Sequence, residues 1–178
     1  SNRYWELLNR FDLPVKQEIG SFSKGMKVKM NFAIALAHHA ELLLLDEATS
    51  GLDPVMRDDV LDLLLDFVQS EKHGVLFSTH IMSDLSKIAD YIAFLHEGKL
   101  LFFKSKDELI YRYGLIHCGE KLFREIDHDD ILAWRKQEYE YQILVADRET
   151  AARKYKDCVI DPATLDSIML LNIRGKKV

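Results

Sequence analysis

Leu42-Leu43-Leu44-Leu45-Asp46-Glu47 is the stretch from which the fold is read. Its four leucines lie between Glu41 and Asp46. A run this short between charges suits a strand buried on both faces of a parallel sheet. A buried helix is the other reading, but the short length and the Thr49-Ser50-Gly51 loop beyond favour the strand. Such a strand delivers two adjacent acids at its C-terminal end, the edge where open α/β sheets hold ligands. Ionised carboxylates there need a cation or hydrogen-bond donors to offset their desolvation. Asp46 can hold Mg2+, directly or through water, and Glu47 can orient or deprotonate an attacking water. The bland alternative is a strand that simply ends in a solvated loop.

The flanking sequence continues the same pattern. Upstream, Tyr4, Leu7, Leu8 and Phe11 fall at helical spacing, so Tyr4 to Leu13 reads as a short amphipathic helix that Pro14 ends. After the loop Gly20-Ser21-Phe22-Ser23-Lys24-Gly25, a second helix is expected over about Met26 to His38. Downstream, Asp53-Pro54 is a strong helix start, with Asp as N-cap and Pro at the first helical position. That helix runs to about Gln69. Val75-Leu76-Phe77-Ser78 reads as a second buried strand, followed by a helix from Met82 to Ala89. Tyr91–Leu95 and Lys99–Phe103, joined by Glu97-Gly98, read as a hairpin. The order implies an α/β sheet closed by antiparallel strands.

From about Lys104 the texture changes. A charged helix over Ser105 to Tyr113 precedes weak strands at Leu115–His117, Gln142–Val145 and Val159–Ile160. Helices are expected near Glu149–Tyr155 and from Asp161, as N-cap, to about Leu171. The chain is thus expected to divide into residues 1–104 and a small α+β appendage, residues 105–178.

Two further features carry chemistry. Ser78-Thr79-His80 ends the second predicted strand, so both strands present polar groups at one sheet edge, where His80 could contact a phosphate or position water. The commoner role of such a histidine is a satisfied polar residue. Phe22-Ser23-Lys24-Gly25-Met26 opens a helix with a hydroxyl, free N–H groups and a cation, which suits an anion. An ordinary capped helix start is the plainer alternative. The pairs His38-His39 and Asp129-Asp130, with His128, could suggest a metal, but adjacent histidines on a helix point to different faces, so surface roles are favoured.

Composition bounds the rest. The chain has 178 residues, 48% apolar and 30% charged, which is the balance of a globular protein and too apolar for disorder. No apolar run approaches the roughly 18–20 residues that cross a bilayer. Net charge is −5, which argues against a general nucleic-acid-binding surface. The excess is local: residues 1–100 carry 10 basic and 15 acidic side chains, and the remainder carries 14 of each. Two cysteines, Cys118 and Cys158, make neither a metal cluster nor a disulfide framework and fit a reducing cytosol.

The order and spacing of Ser23-Lys24-Gly25, Leu42 to Glu47, Ser50-Gly51-Leu52-Asp53 and Ser78-Thr79-His80 resembles the second half of an ABC transporter nucleotide-binding domain. The resemblance covers roughly residues 3–103. It implies part of a P-loop NTPase sheet with a helical signature segment. Phe22 to Met26 looks like the signature loop, usually Leu-Ser-Gly-Gly-Gln, with Ser23 and Gly25 kept and Phe22, Lys24 and Met26 departing from it. That variant resembles the ATPases of ABC-2-type exporters. By position, Ser23, Lys24 and Gly25 would serve ATP bound to a second nucleotide-binding subunit. Asp46 looks like the Walker B aspartate that organises Mg2+, and Glu47 like the general base. Ser50 to Asp53 looks like the D-loop, placing Asp53 at the nucleotide interface, and His80 looks like the switch histidine that senses the γ-phosphate. Ala48 stands where proline is common.

The resemblance therefore implies an ATPase subunit of an exporter. It would lie on the cytoplasmic side of the membrane, form a homo- or heterodimer of nucleotide-binding subunits and drive membrane subunits. One family element is absent: Gly-x-x-x-x-Gly-Lys-Ser/Thr does not occur in the sequence. A truncated piece of a longer ATPase, with Ser1-Asn2 as a cloning remnant, is favoured over a natural half-domain. The chain by itself is expected to hydrolyse ATP poorly or not at all. The competing functions are a non-catalytic regulatory or binding module on the same half-fold, and an ABC ATPase of the non-transport kind.

Overall fold

The computed structural model describes residues 2–38 and 40–177. Of His38-His39, the second lies outside the described residues, as do Ser1 and Val178. The chain divides into two compact units, Ser1–Ile88 and Ala89–Val178. The division thus falls ahead of the hairpin rather than at residue 104. The reason is local: the Lys106 N–H donates to the Asp90 carbonyl at 2.8 Å and Lys104 pairs with Glu108, which ties the hairpin's base to the turn that follows.

In the first unit, helix α1 (Asn2–Arg10) and helix α2 (Lys24–Ala37) precede strand β1 (Leu42–Asp46). Helix α3 (Pro54–Val68), strand β2 (Gly74–Ser78) and helix α4 (Met82–Ile88) follow. Both long helices start on side-chain caps. Ser23 Oγ accepts from the Met26 N–H at 3.2 Å, and Asp53 Oδ1 accepts from the Met56 N–H at 3.0 Å with Pro54 next in line. Strands β1 and β2 pair in parallel, with Leu42 opposite Gly74 and Asp46 opposite Ser78. The core gathers Leu7 and Leu8 of α1, Phe32, Ala33 and Leu36 of α2, Leu43 of β1, and Val60, Leu63, Leu64 and Phe67 of α3.

One expectation fails here. Strand β1 is buried on one face, not two: Leu43 is 4% exposed, whereas Leu42 and Leu44 are 59% and 69% exposed. Leu76 of β2 shares their exposure at 67%. A strand's side chains alternate between faces, and the core described above takes up only the Leu43 face.

The second unit begins with β3 (Tyr91–His96) and β4 (Lys99–Ser105), an antiparallel hairpin that forms its own two-stranded sheet rather than joining β1 and β2. Its turn residues Glu97 and Gly98 both have positive φ, 47° and 74°, the hand that matches strand twist. The charged helix expected over 105–113 is a single wide turn, Glu108–Arg112. Then come β5 (Gly114–Cys118), α5 (Glu120–Phe123), β6 (Ala133–Lys136), β7 (Tyr141–Val145), α6 (Arg148–Lys154), β8 (Val159–Pro162) and α7 (Leu165–Arg174). Strands β5 to β8 form an antiparallel sheet in the order β6-β7-β5-β8. Ile116, Ile143 and Val145 lie at its core.

A second correction concerns α7. Asp161-Pro162 does not cap it; both residues belong to β8, with Asp161 opposite Leu115 and Pro162 opposite Gly114. A proline is tolerated there because β8 is an edge strand. The true cap is Thr164, whose Oγ1 accepts from the Ser167 N–H at 3.1 Å while its own N–H donates to Ser167 Oγ at 2.9 Å. Of the acids near His128, Asp130 accepts from Lys154 Nζ at 2.7 Å, while His128 and Asp129 stay exposed.

Two substitutions test this packing. Leu64→Ala, at a side chain 1% exposed, is expected to destabilise the first unit by about 3 kcal/mol. Faster amide exchange in α2 and α3, with β5 and β7 unaffected, is the readout. Thr164→Ala is expected to cost about 1 kcal/mol in the second unit, read as faster exchange along α7.

Candidate functional site

The parallel register places Asp46 beside Ser78, so the two strand ends share one edge. Ser78 Oγ donates to Asp46 Oδ1. Just past β1, the Glu47 N–H donates to the Ser78 carbonyl at 3.0 Å and lies 3.1 Å from Ser78 Oγ. Strand pairing therefore continues into the acid pair and holds both residues against the end of β2.

Glu47 leaves that edge in an unusual backbone conformation. Its φ is +45°, left-handed for a residue with a β-carbon, a conformation that costs on the order of 1–3 kcal/mol and persists only where neighbours enforce it. The Ser50 N–H donates to the Glu47 carbonyl at 2.9 Å, closing a tight turn. The turn aims the Glu47 side chain at His80, with Oε1 3.2 Å from Nδ1. The two side chains are 55% and 66% exposed, so the contact contributes little to stability and faces solvent.

The signature-like residues are placed through helix starts. Ser23 caps α2 and Phe22 is buried in the core of the first unit. A β-carbon at Gly25 would come within 2.9 Å of the Met56 side chain, so the glycine lets the start of α2 pack closely on α3. At Gly51, φ is +68° and a β-carbon would collide with Lys24 Nζ. Lys24 thus lies over the backbone of the 50–53 loop. Asp53 is exposed and holds the α3 cap. The structure brings Asp46, Glu47 and His80 together. Among the described residues, no hydrogen bond joins Ser23, Lys24 or Gly25 to them.

The donor set can be tested against Mg2+. Among the described residues, no group of three or more His, Cys, Asp or Glu side chains could hold a metal ion alone. Asp46 offers one exposed carboxylate beside a hydroxyl. That poor set fits Mg2+, which keeps several waters and is held by one or two carboxylates plus substrate phosphates. It would not suit a cation needing a full protein cage.

Three residues around the site were not singled out from the sequence: Thr49, Arg57 and Asp84. Thr49 Oγ1 donates to Asp84 Oδ2 at 2.7 Å, and Arg57 Nε lies 3.5 Å from Asp84 Oδ1. The only sequence signal is spacing, with Thr49 two residues after Glu47 and Asp84 four after His80. No periodicity marks either as buried.

Comparison with known proteins agrees with this arrangement. The family described as "ABC transporter" matches residues 1–50. The ABC transporter ATP-binding protein YtrB of Bacillus subtilis is 28% identical over 186 residues, covering 97% of this chain and 62% of that protein. The bacitracin transport ATP-binding protein BcrA of Bacillus licheniformis is 40% identical over 86 residues, covering 48% of this chain and 28% of that protein. A solved metal-chelate-type ABC transporter in an inward-facing conformation superposes with a TM-score of 0.56 at 25% identity, over 81% of this chain and 56% of that one. The chain spans less than two thirds of the length of each. These matches show that the chain is similar to ABC transporter ATP-binding proteins, the family model reaching Asp46 and Glu47.

Proposed function

We propose that the complete subunit carrying this chain hydrolyses MgATP at an interface between two nucleotide-binding subunits. That reaction would power export through membrane partners, with the subunit lying peripherally on the cytoplasmic face. The observation that carries the reading is the Glu47–His80 contact at 3.2 Å, next to Asp46 and at the C-terminal edge of two parallel strands.

In this reading Glu47 is the general base. Its carboxylate is exposed and so open to a water molecule, and the enforced turn fixes its direction. A positioned base of this kind contributes roughly 10²–10⁴-fold to rate. His80, held through Nδ1 against Glu47, leaves Nε2 to face a phosphate oxygen. Asp46, oriented by Ser78, would hold Mg2+, which supplies neutralisation of phosphate charge.

Ser23, Lys24 and Gly25 at the start of α2 would meet the nucleotide of the opposite subunit. There the helix N-terminus and the Lys24 cation favour an anion. Asp53 would stand at the same interface. Export as the direction is supported by the Ser23-Lys24-Gly25-Met26 variant, and coupling to transport by a relative named for the transport of bacitracin. The relatives' greater length, and the exposed leucine face of β1 and β2, suit a subunit in which further chain covers that face.

Glu47→Gln in the complete subunit is expected to lower kcat at least about 100-fold, with the KM for ATP changed little. Phosphate release at saturating ATP measures it, and retained turnover removes Glu47 from the role. The 178-residue chain alone is expected to show no turnover. Hydrolysis by it that Glu47→Gln abolishes would refute that expectation.

A further inference from the structure

A carboxylate with no part in the proposed reaction lies fully buried beneath the site. Asp84, in the first turn of α4, is 1% exposed, and so is Thr49. Among the described residues these two are the buried polar side chains. Asp84 Oδ2 accepts from Thr49 Oγ1 at 2.7 Å. Its Oδ1 is buried without a hydrogen bond, and the Arg57 guanidinium, 3.5 Å away, is the charge that faces it. A buried carboxyl group with one oxygen left unbonded is costly, and an apolar side chain of similar size would pack there at less expense. Its value must therefore lie in what it joins.

It joins three segments. Thr49 sits in the turn that begins at Glu47, Arg57 in the first turns of α3, and Asp84 four residues beyond His80. The turn needs an anchor, because Glu47 is held at a φ of +45°. On the strand side it is held by the bonds to Ser78. On its far side, Thr49 is the first side chain after Glu47 to be buried, and its hydroxyl bond to Asp84 is the polar link to α4.

We infer that Asp84 is a positioning residue. Through Thr49 it locks the strained Glu47 turn to the helix that follows His80, so that carboxylate and imidazole keep their spacing. Arg57, 3.5 Å from Asp84 Oδ1, brings the start of α3 into the same lock. The importance of the lock for turnover rests on the ATPase reading above; the lock itself does not.

Hydrogen exchange of the 178-residue chain tests it without nucleotide. The reporters are the amides of Glu47, Ser50 and Leu52, which are bonded within or beside the turn. Thr49→Val keeps the volume and removes the hydroxyl; Thr49→Ser keeps the hydroxyl and removes a methyl. The lock predicts exchange about tenfold faster or more at the three reporters in Thr49→Val, as expected when a buried acceptor loses its donor. Exchange at Leu61 and Leu64 of α3 should change little, and Thr49→Ser should stay close to the parent chain. A packing role alone gives the reverse order, with Thr49→Ser the worse. That order, equal behaviour of the two variants, or acceleration spread evenly over the first unit overturns the proposal. If Thr49→Val does not fold, Thr49→Ala replaces it, and equal exchange in Thr49→Ala and Thr49→Ser overturns the proposal in the same way.

In the complete subunit, Thr49→Val should lower kcat about tenfold at unchanged KM for ATP, with Thr49→Ser near the parent rate. Unchanged kcat overturns the positioning role. Exchange that behaves as expected, while the complete subunit shows no ATP turnover, would leave the lock standing and remove the ATPase reading instead.

Discussion

The parallel pairing of β1 with β2 is the contact on which the rest of the first unit depends. Its register puts Asp46 opposite Ser78, and the next amide, that of Glu47, continues the pairing into the Ser78 carbonyl. A shift of one residue would turn Leu43 away from the core and carry the acids away from the serine. The register is held from the other side by burial: Leu43 belongs to the same core as Val60, Leu63, Leu64 and Phe67 of α3 and Phe32 and Ala33 of α2. The apolar core and the polar edge therefore specify the same alignment, and neither works without the other.

The proposed chemistry at this edge would be set up at the expense of stability. Glu47 takes a left-handed backbone, Asp84 is buried with one unbonded oxygen, and the Glu47–His80 contact is too exposed to contribute much. What offsets these terms is mostly apolar packing and helix capping elsewhere in the unit, by Ser23 and Asp53 among others. Lys24 over Gly51 and Gly25 against Met56 show the same division of labour. Glycines admit close contacts, so that the helix start and the 50–53 loop can pack together. In the second unit the left-handed position is Glu97, in the hairpin turn at a φ of 47°; the two cysteines are free thiols, with burial pushing the Cys118 thiol up to about 11.

Local signals made much of this readable. Asp53-Pro54 starts α3, Ser23 starts α2, and Glu97-Gly98 turns the hairpin, each because its side chain or backbone freedom satisfies nearby groups. The four leucines found β1, but their burial on both faces did not hold, since only one face meets the helices of this unit. Asp161-Pro162 carried the same start signal as Asp53-Pro54 and yet lies in β8. There, pairing with β5 outweighed the local preference, and Thr164 took the cap. Strand β6 was overlooked because its Trp134 and Arg135 show neither a long apolar run nor clean alternation.

The amino-acid sequence by itself singled out the residues proposed to carry the chemistry. Acids after a leucine run, a histidine after a second strand and a capped Ser-Lys-Gly start are short-range patterns, and their spacing along the chain resembles that of ABC transporter nucleotide-binding domains. Tertiary structure decided what holds them. The strained turn at Glu47, the pairing of Asp46 with Ser78, and the buried Thr49–Asp84–Arg57 link join residues separated by up to 35 positions. Such contacts arise only when strand register and helix packing close the distance, and hydrophobic periodicity has no means of marking a buried carboxylate in advance.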